Sequence, residues 1–156
     1  MTLGRSLTPW SLRIACDHGV QHGRAATVLD ERESMPSEFG KAARMFTART
    51  FFGIEQKDMA TLLKVRLSTY QRWENGRDPI PAGIWSDVDA LFDKFDDEVA
   101  QMVTAAEDAP EVVRVRVWRS RNEHHPFPGW WARVVGEALR RTENLEPVFP
   151  EDDKDE

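Results

Sequence analysis

The chain has 156 residues, 40% hydrophobic and 31% charged, a composition that fits one ordinary domain or a small domain with an accessory piece. No apolar run approaches the roughly 18 residues that cross a bilayer, and no basic patch leads into an apolar stretch of signal-peptide length, so a cytoplasmic location without a membrane partner is expected. Cys16 is the only cysteine, which excludes an internal disulfide, and a net charge of −6 argues against a nucleic-acid ligand unless the charges segregate.

They do segregate. Residues 39–77 and 112–141 each carry a net +5, whereas residues 1–38, 78–111 and 142–156 carry −1, −9 and −6. An acidic chain can therefore turn one basic block toward phosphate while the others balance elsewhere.

Residues 1–35 show no sustained period of 3.6 or 2 and are expected to form a disordered N-terminal extension. Glu31-Arg32-Glu33 is compatible with purine-rich codons ahead of a start, which makes Met35 an alternative first residue. Cys16, His18 and His22 could supply three metal ligands on a helix, but a fourth ligand and a scaffold are missing, so a flexible arm is the preferred reading.

From Pro36 the pattern turns helical. Ser37 is a good N-cap for a helix to about Phe52, with Phe39, Ala42, Ala43, Phe46 and Thr50 at three- and four-residue spacings and Gly53 as its stop. A short helix follows from about Glu55 to Leu63 with Met59, Leu62 and Leu63 inward, then a turn, then a helix from about Leu67 to Glu74 that Asn75-Gly76 ends. Pro79 and Pro81 bracket the next start. Beyond them Ile84, Trp85, Val88, Leu91, Phe92, Phe95, Val99, Met102 and Val103 trace an apolar stripe to about Glu107, as one rod or two pieces.

Ala109-Pro110 closes that helix. Val113, Val115 and Val117 then alternate with Arg114, Arg116 and Trp118, the period of a half-buried strand. Glu123, His124 and His125 fall in a Pro-flanked loop and read as polar surface. Trp130 to Arg141 makes a last helix with Trp131, Val134, Val135, Ala138 and Leu139 inward, and residues 146–156 read as a disordered acidic tail. One strand and one helix cannot close a core alone, so this part is expected to pack on the long helix, on a second copy of itself, or on both. A two-fold homodimer through Val113, Val115, Val117, Trp118, Trp130 and Trp131 is the economical expectation, because it removes an exposed strand edge. Arg114, Arg116, Arg119 and Arg121 could grip RNA with Trp118 as a stacking platform. Pairing with the acidic run from Asp87 to Glu98 is the favoured alternative.

The stretch Ile54 to Pro81 carries the function. Ala60 is small where its two helices must approach, and Met59, Leu63, Val65, Tyr70 and Trp73 can fill the angle between them. Leu67, Ser68, Gln71 and Arg72 are left on the outer face, where a helix can enter a major groove about 12 Å wide. Gln56, Ala60, Val65, Ser68-Thr69, Arg72-Trp73-Glu74 and Asn75-Gly76 resemble the pattern of the Cro/repressor, or Xre-like, helix-turn-helix family over roughly residues 39–95.

By that resemblance Gln56 anchors a phosphate, Leu67, Ser68 and Arg72 meet base edges, Asn75 and Arg77 approach the backbone, and Arg49 and Glu74 form a partly buried ion pair. Lys57, Arg66 and Thr69 complete the expected DNA-binding set. Lys64 departs from the pattern, standing where the family often has Gly, as do Glu55 and Arg66 at N-cap positions that usually hold Ser or Thr, and the apolar Leu67, which could instead meet a thymine methyl group. The layout beyond the motif is similar to anti-CRISPR-associated phage repressors and related bacterial regulators, whose C-terminal piece makes the dimer.

The expected fold is accordingly mainly α, a five-helix Xre-like DNA-binding domain at residues 36–107 followed by a small α+β strand-helix dimerisation unit at 108–145. The expected function is a dimeric repressor on an inverted-repeat double-stranded DNA operator, regulating its own operon without catalysis or cofactor. The other reading is an antitoxin whose motif autoregulates transcription while its C-terminal part holds a toxin.

Overall fold

The computed structural model describes residues 37–123 and 125–153, which form five helices and two two-stranded sheets. The expectations for the N-terminal extension, for Met35 and for Cys16, His18 and His22 lie outside the described residues, as does His124. Among the described residues no helix is long and apolar enough to cross a membrane. The helices are α1 (Ala42–Phe52), α2 (Gln56–Leu62), α3 (Leu67–Glu74), α4 (Gly83–Glu107) and α5 (Pro128–Leu139). The strands are β1 (Ser37–Glu38), β2 (Ile80–Pro81), β3 (Val113–Arg116) and β4 (Leu145–Val148). Residues 36–107 thus hold four helices where five were expected, because no Gly or Pro interrupts the stripe between Gly83 and Glu107 and it runs as one helix of 25 residues.

Two compact units divide the chain. One combines the described residues up to Thr50 with Glu55–Phe92, and the other combines Phe51–Ile54 with the described residues from Asp93 onward. These limits differ from the expected boundary at 107/108, since α4 contributes residues to both.

In the first unit Ser37 is not a helix cap. It pairs with Pro81, and Glu38 with Ile80, in an antiparallel ladder, after which Gly40 turns the chain at φ 78° and α1 starts at Ala42. The buried face of α1 is Met45, Ala48 and Phe52, while Phe39 and Phe46 are exposed. Two apolar stripes compete on this helix, and Phe46 goes to the outer one, where its ring lies 5.4 Å from the Arg49 guanidinium carbon.

Helices α2 and α3 close in the same way. At the end of α2 the Val65 N–H donates to Ala60 O (2.9 Å) and the Lys64 N–H to Thr61 O (3.1 Å). At the end of α3 the Arg77 N–H donates to Arg72 O (2.9 Å) and the Gly76 N–H to Trp73 O (3.0 Å). Both are Schellman motifs, which require a left-handed residue after the C-cap. Gly76 supplies it without strain at φ 70°, whereas Lys64 adopts φ 57° with a side chain in place. Lys64→Gly should therefore stabilise the protein by about 0.5–1 kcal/mol, read as a higher denaturation midpoint. A lower midpoint would show that the lysine side chain contributes more than its backbone conformation costs. The N-cap of α2 is Glu55, whose N–H donates to the buried Asp58 carboxylate at 3.3 Å.

The second unit is built around a parallel pair, β3 beside β4, with Val113 opposite Leu145 and Arg116 opposite Val148. This corrects the disordered tail, expected at 146–156, for residues 146–153, and residues 154–156 lie outside the described residues. Over 146–153 the chain is a strand followed by a turn, in which the Asp152 and Asp153 N–H groups donate to Phe149 O at 2.9 and 3.0 Å. Composition misleads here because the charge is consumed locally. Asp153 is buried between Arg114, 3.1 Å away, and Arg116, and Arg119 pairs with Glu151 while its guanidinium lies 3.4 Å from the centre of the Phe149 ring. A buried carboxylate is tolerable when its charge is met in this way.

Helix α5 starts at Pro128, a favoured first helical residue, and its buried face is Trp130, Val134, Val135 and Ala138. Trp131 is half-buried and Leu139 exposed, so the expected inward face is rotated by about one residue. Each indole N–H finds an acceptor, Trp130 at Glu98 Oε2 (2.6 Å) and Trp131 at Arg116 O (2.8 Å). Asn144 donates to Ala106 O (3.0 Å) and Ala109 O (3.4 Å), satisfying carbonyls at the end of α4. His125, expected on a polar surface loop, is buried and stacks on Trp118 with ring centres 3.5 Å apart.

Candidate functional site

Helix α3 has two unlike sides. Tyr70 and Trp73 are buried with Met59, Ala60 and Leu63 of the preceding helix and turn, and Val65 is half-buried. Arg66, Leu67, Ser68 and Arg72 are exposed, as are Asn75 and Arg77 just past its end and Lys57 on α2, while Gln56, Thr69 and Gln71 are half-buried. Leu67 is 42% exposed, a large apolar side chain left in solvent at the first position of the helix.

A polar network fixes this helix pair. Arg49 holds Glu74 with two hydrogen bonds, Nε to Oε2 at 2.9 Å and Nη2 to Oε1 at 2.7 Å. Gln56 Nε2 donates to Glu74 Oε1 at 3.2 Å, and Gln71 Nε2 donates to Gln56 Oε1 at 3.3 Å. Arg49 and Glu74, the pair implied by the resemblance, thus lie at the root of a chain of bonds that ends on the half-exposed Gln71. Burial pushes the Glu74 carboxyl up, but hydrogen bonds from Arg49 and Gln56 and the Arg49 charge outweigh it and hold the pKa below the usual carboxylate range. The Tyr70 hydroxyl is pushed well up, first by burial and then by the nearby Glu74 carboxylate.

Two of the expected DNA-binding cations have acidic neighbours. Lys57 Nζ lies 2.8 Å from Glu55 Oε2, both exposed. Arg72 is paired with Asp78, Nε to Oδ2 at 2.7 Å and Nη2 to Oδ1 at 2.9 Å. By charge Asp78 opens the acidic block 78–111, although it lies inside the stretch Ile54 to Pro81. The signal that could have found it is its position two residues after Gly76, where a Schellman turn brings the chain back along the helix.

The residues expected to join two copies lie in the second unit. Val113, Val115 and Trp130 are buried within it, and Val117, Trp118 and Trp131 are half-buried. One edge of β3 is paired with β4 of the same chain, and Pro147, which has no N–H, stands opposite Val115 and weakens the outer edge of β4 as a template for a further strand. A charge at Val115, 2% exposed, would disrupt this core whatever the oligomeric state. Arg114 and Arg116 pair with Asp153 and Arg119 pairs with Glu151, so residues 151–153 supply partners that the sequence did not offer. Arg121 lies with its guanidinium carbon 5.9 Å from the Phe127 ring centre. Comparison with known proteins returns no matching family model, no matching curated protein and no matching solved structure.

Proposed function

We propose that this chain is a sequence-specific DNA-binding repressor of the Cro/repressor, or Xre-like, helix-turn-helix type, which occupies an inverted-repeat operator and regulates its own operon. The observation that carries the reading is the exposed side of α3, where Arg66, Leu67, Ser68 and Arg72 stand on a helix whose opposite side is locked by Tyr70 and Trp73. A rigid helix with an exposed polar and apolar face meets the two needs of major-groove readout, close entry and a fixed set of contacts. The +5 of residues 39–77 supports attraction to phosphate despite the total of −6. One such helix offers few base contacts, and a genome demands a large specificity ratio, so two copies of the chain are proposed to bind half-sites about 34 Å apart.

Selection of bound duplexes from a random pool is expected to return an inverted repeat. On that site Arg72→Ala should cost about 1–3 kcal/mol and relax preference at one base pair, while Lys57→Ala should weaken all sequences alike and reduce the salt slope by about one ion. A pool that returned no preferred sequence would overturn the proposal, and a uniform loss for Arg72→Ala would make that residue a phosphate contact.

A further inference from the structure

We infer that Asp78 is a specificity-determining residue which holds one edge of the Arg72 guanidinium and so presents the other as a two-donor fork for guanine, an inference that rests on the DNA-reading role proposed for α3. The contact is side-on. Asp78 Oδ2 takes the Nε–H at 2.7 Å and Oδ1 takes one Nη2–H at 2.9 Å. A guanidinium has five N–H donors in one plane, so the outer edge, one hydrogen each from Nη1 and Nη2, is left for a ligand. Those two parallel donors match the adjacent O6 and N7 acceptors of guanine in the major groove. Adenine places a donor beside its N7, and thymine offers a single carbonyl.

The backbone shows that this pairing is built by the turn. The left-handed Gly76 lets both the Arg77 N–H (2.9 Å) and the Asp78 N–H (3.3 Å) reach Arg72 O, which brings the Asp78 carboxylate alongside the side chain of the residue whose carbonyl it shares. An untethered arginine must order its rotatable bonds when it meets a base, and it can equally swing to a phosphate. The tether meets that ordering cost before binding and restricts the direction of the fork. Asp78 also offsets the charge of Arg72, so the pair adds little to attraction for DNA of arbitrary sequence. Removing the carboxylate should therefore move two quantities in opposite directions, a pattern that a merely structural role would not produce.

The test measures binding of the parent, Arg72→Ala, Asp78→Ala, Asp78→Asn and the double variant Arg72→Ala/Asp78→Ala. The targets are the selected operator, its versions altered at the base pair that Arg72→Ala relaxes, and a random duplex at the same salt. Asp78→Ala is expected to lower the preference for guanine at that base pair by about 10-fold while raising affinity for the random duplex. Asp78→Asn, which preserves side-chain size and one acceptor, should fall between parent and Asp78→Ala, and it keeps the test open should the alanine variant not fold. The double variant should discriminate no worse than Arg72→Ala alone, because the two residues act as one device. Unchanged preference in both Asp78 variants, with Arg72→Ala relaxing the site, would overturn this inference and leave the DNA-reading role standing. A sharpened preference would make Asp78 a competitor for the fork and would also overturn it. Absence of any sequence preference in the parent would remove both.

Discussion

Glu74→Ala is expected to destabilise the protein by about 3 kcal/mol, the range for removing one partner of a buried, hydrogen-bonded ion pair. The Glu74 side chain is 5% exposed and that of Arg49 17%, so solvent does little to replace the lost partner. The variant leaves the Arg49 guanidinium without two bonds and releases Gln56, and through it Gln71, on the proposed DNA-binding side. Stability and DNA affinity should therefore fall together, whereas Arg72→Ala should change affinity with little change in stability. The same group makes stability depend on pH. The folded pKa of Glu74 lies below its ordinary value, so its contribution is fully present above the unfolded carboxylate pKa of about 4.3 and is lost as pH falls through the folded value. Denaturant titrations of the parent and Glu74→Gln at pH 7 and in steps below about pH 4 should show the difference between them shrinking with acid. A loss under about 1 kcal/mol for Glu74→Ala at neutral pH, the size of an exposed pair, would contradict the account.

The parts of this structure that were legible in the sequence are those determined by neighbours a few residues away. The α2–α3 pair follows from Ala60, Tyr70, Trp73 and Gly76, whose burial or backbone conformation is fixed within one turn and two helices. The stripe of α4 and the alternation of β3 likewise need no distant partner to be seen. What was not legible depends on pairings remote in sequence. Strands β1 and β2 have two residues each, too few to carry a periodic signal. β4 contains a glutamate and a proline inside an acidic stretch, and it forms because Leu145 is buried and Asp153 meets Arg114 and Arg116. Composition registers the charges of that stretch but not the cations that await them. The candidate site divides along the same line. Which residues of α3 face outward could be read from helical spacing, but that Gln71 donates to Gln56 and that Arg72 is held by Asp78 depends on side-chain placement across a turn.

Gly129→Ala is expected to cost about 3 kcal/mol or more, through a contact between two glycines that no local pattern announces. A Cβ on Gly129 would lie 1.8 Å from Gly53 O and 2.9 Å from Gly53 C. Both atoms are backbone, so no side chain can swing aside, and the Gly53 carbonyl is itself fixed by the left-handed turn at φ 68° that follows α1. Relief would require the first turn of α5 to move away. Trp130, the next residue, would then lose its stack on Phe52, where ring centres are 4.8 Å apart, its edge contact with Phe95 at 5.6 Å and its hydrogen bond to Glu98. Gly136 provides the control in the same helix, because a Cβ there meets nothing within 4 Å. Gly136→Ala should stabilise by up to about 1 kcal/mol, the difference in helix propensity between the two residues. Equilibrium unfolding of the two variants beside the parent reads both effects, which have opposite signs on one helix and differ only in what the added methyl group meets. If Gly129→Ala were neutral, or shifted in the same direction as Gly136→Ala, the close approach of Gly53 and Gly129 would not be what seats α5.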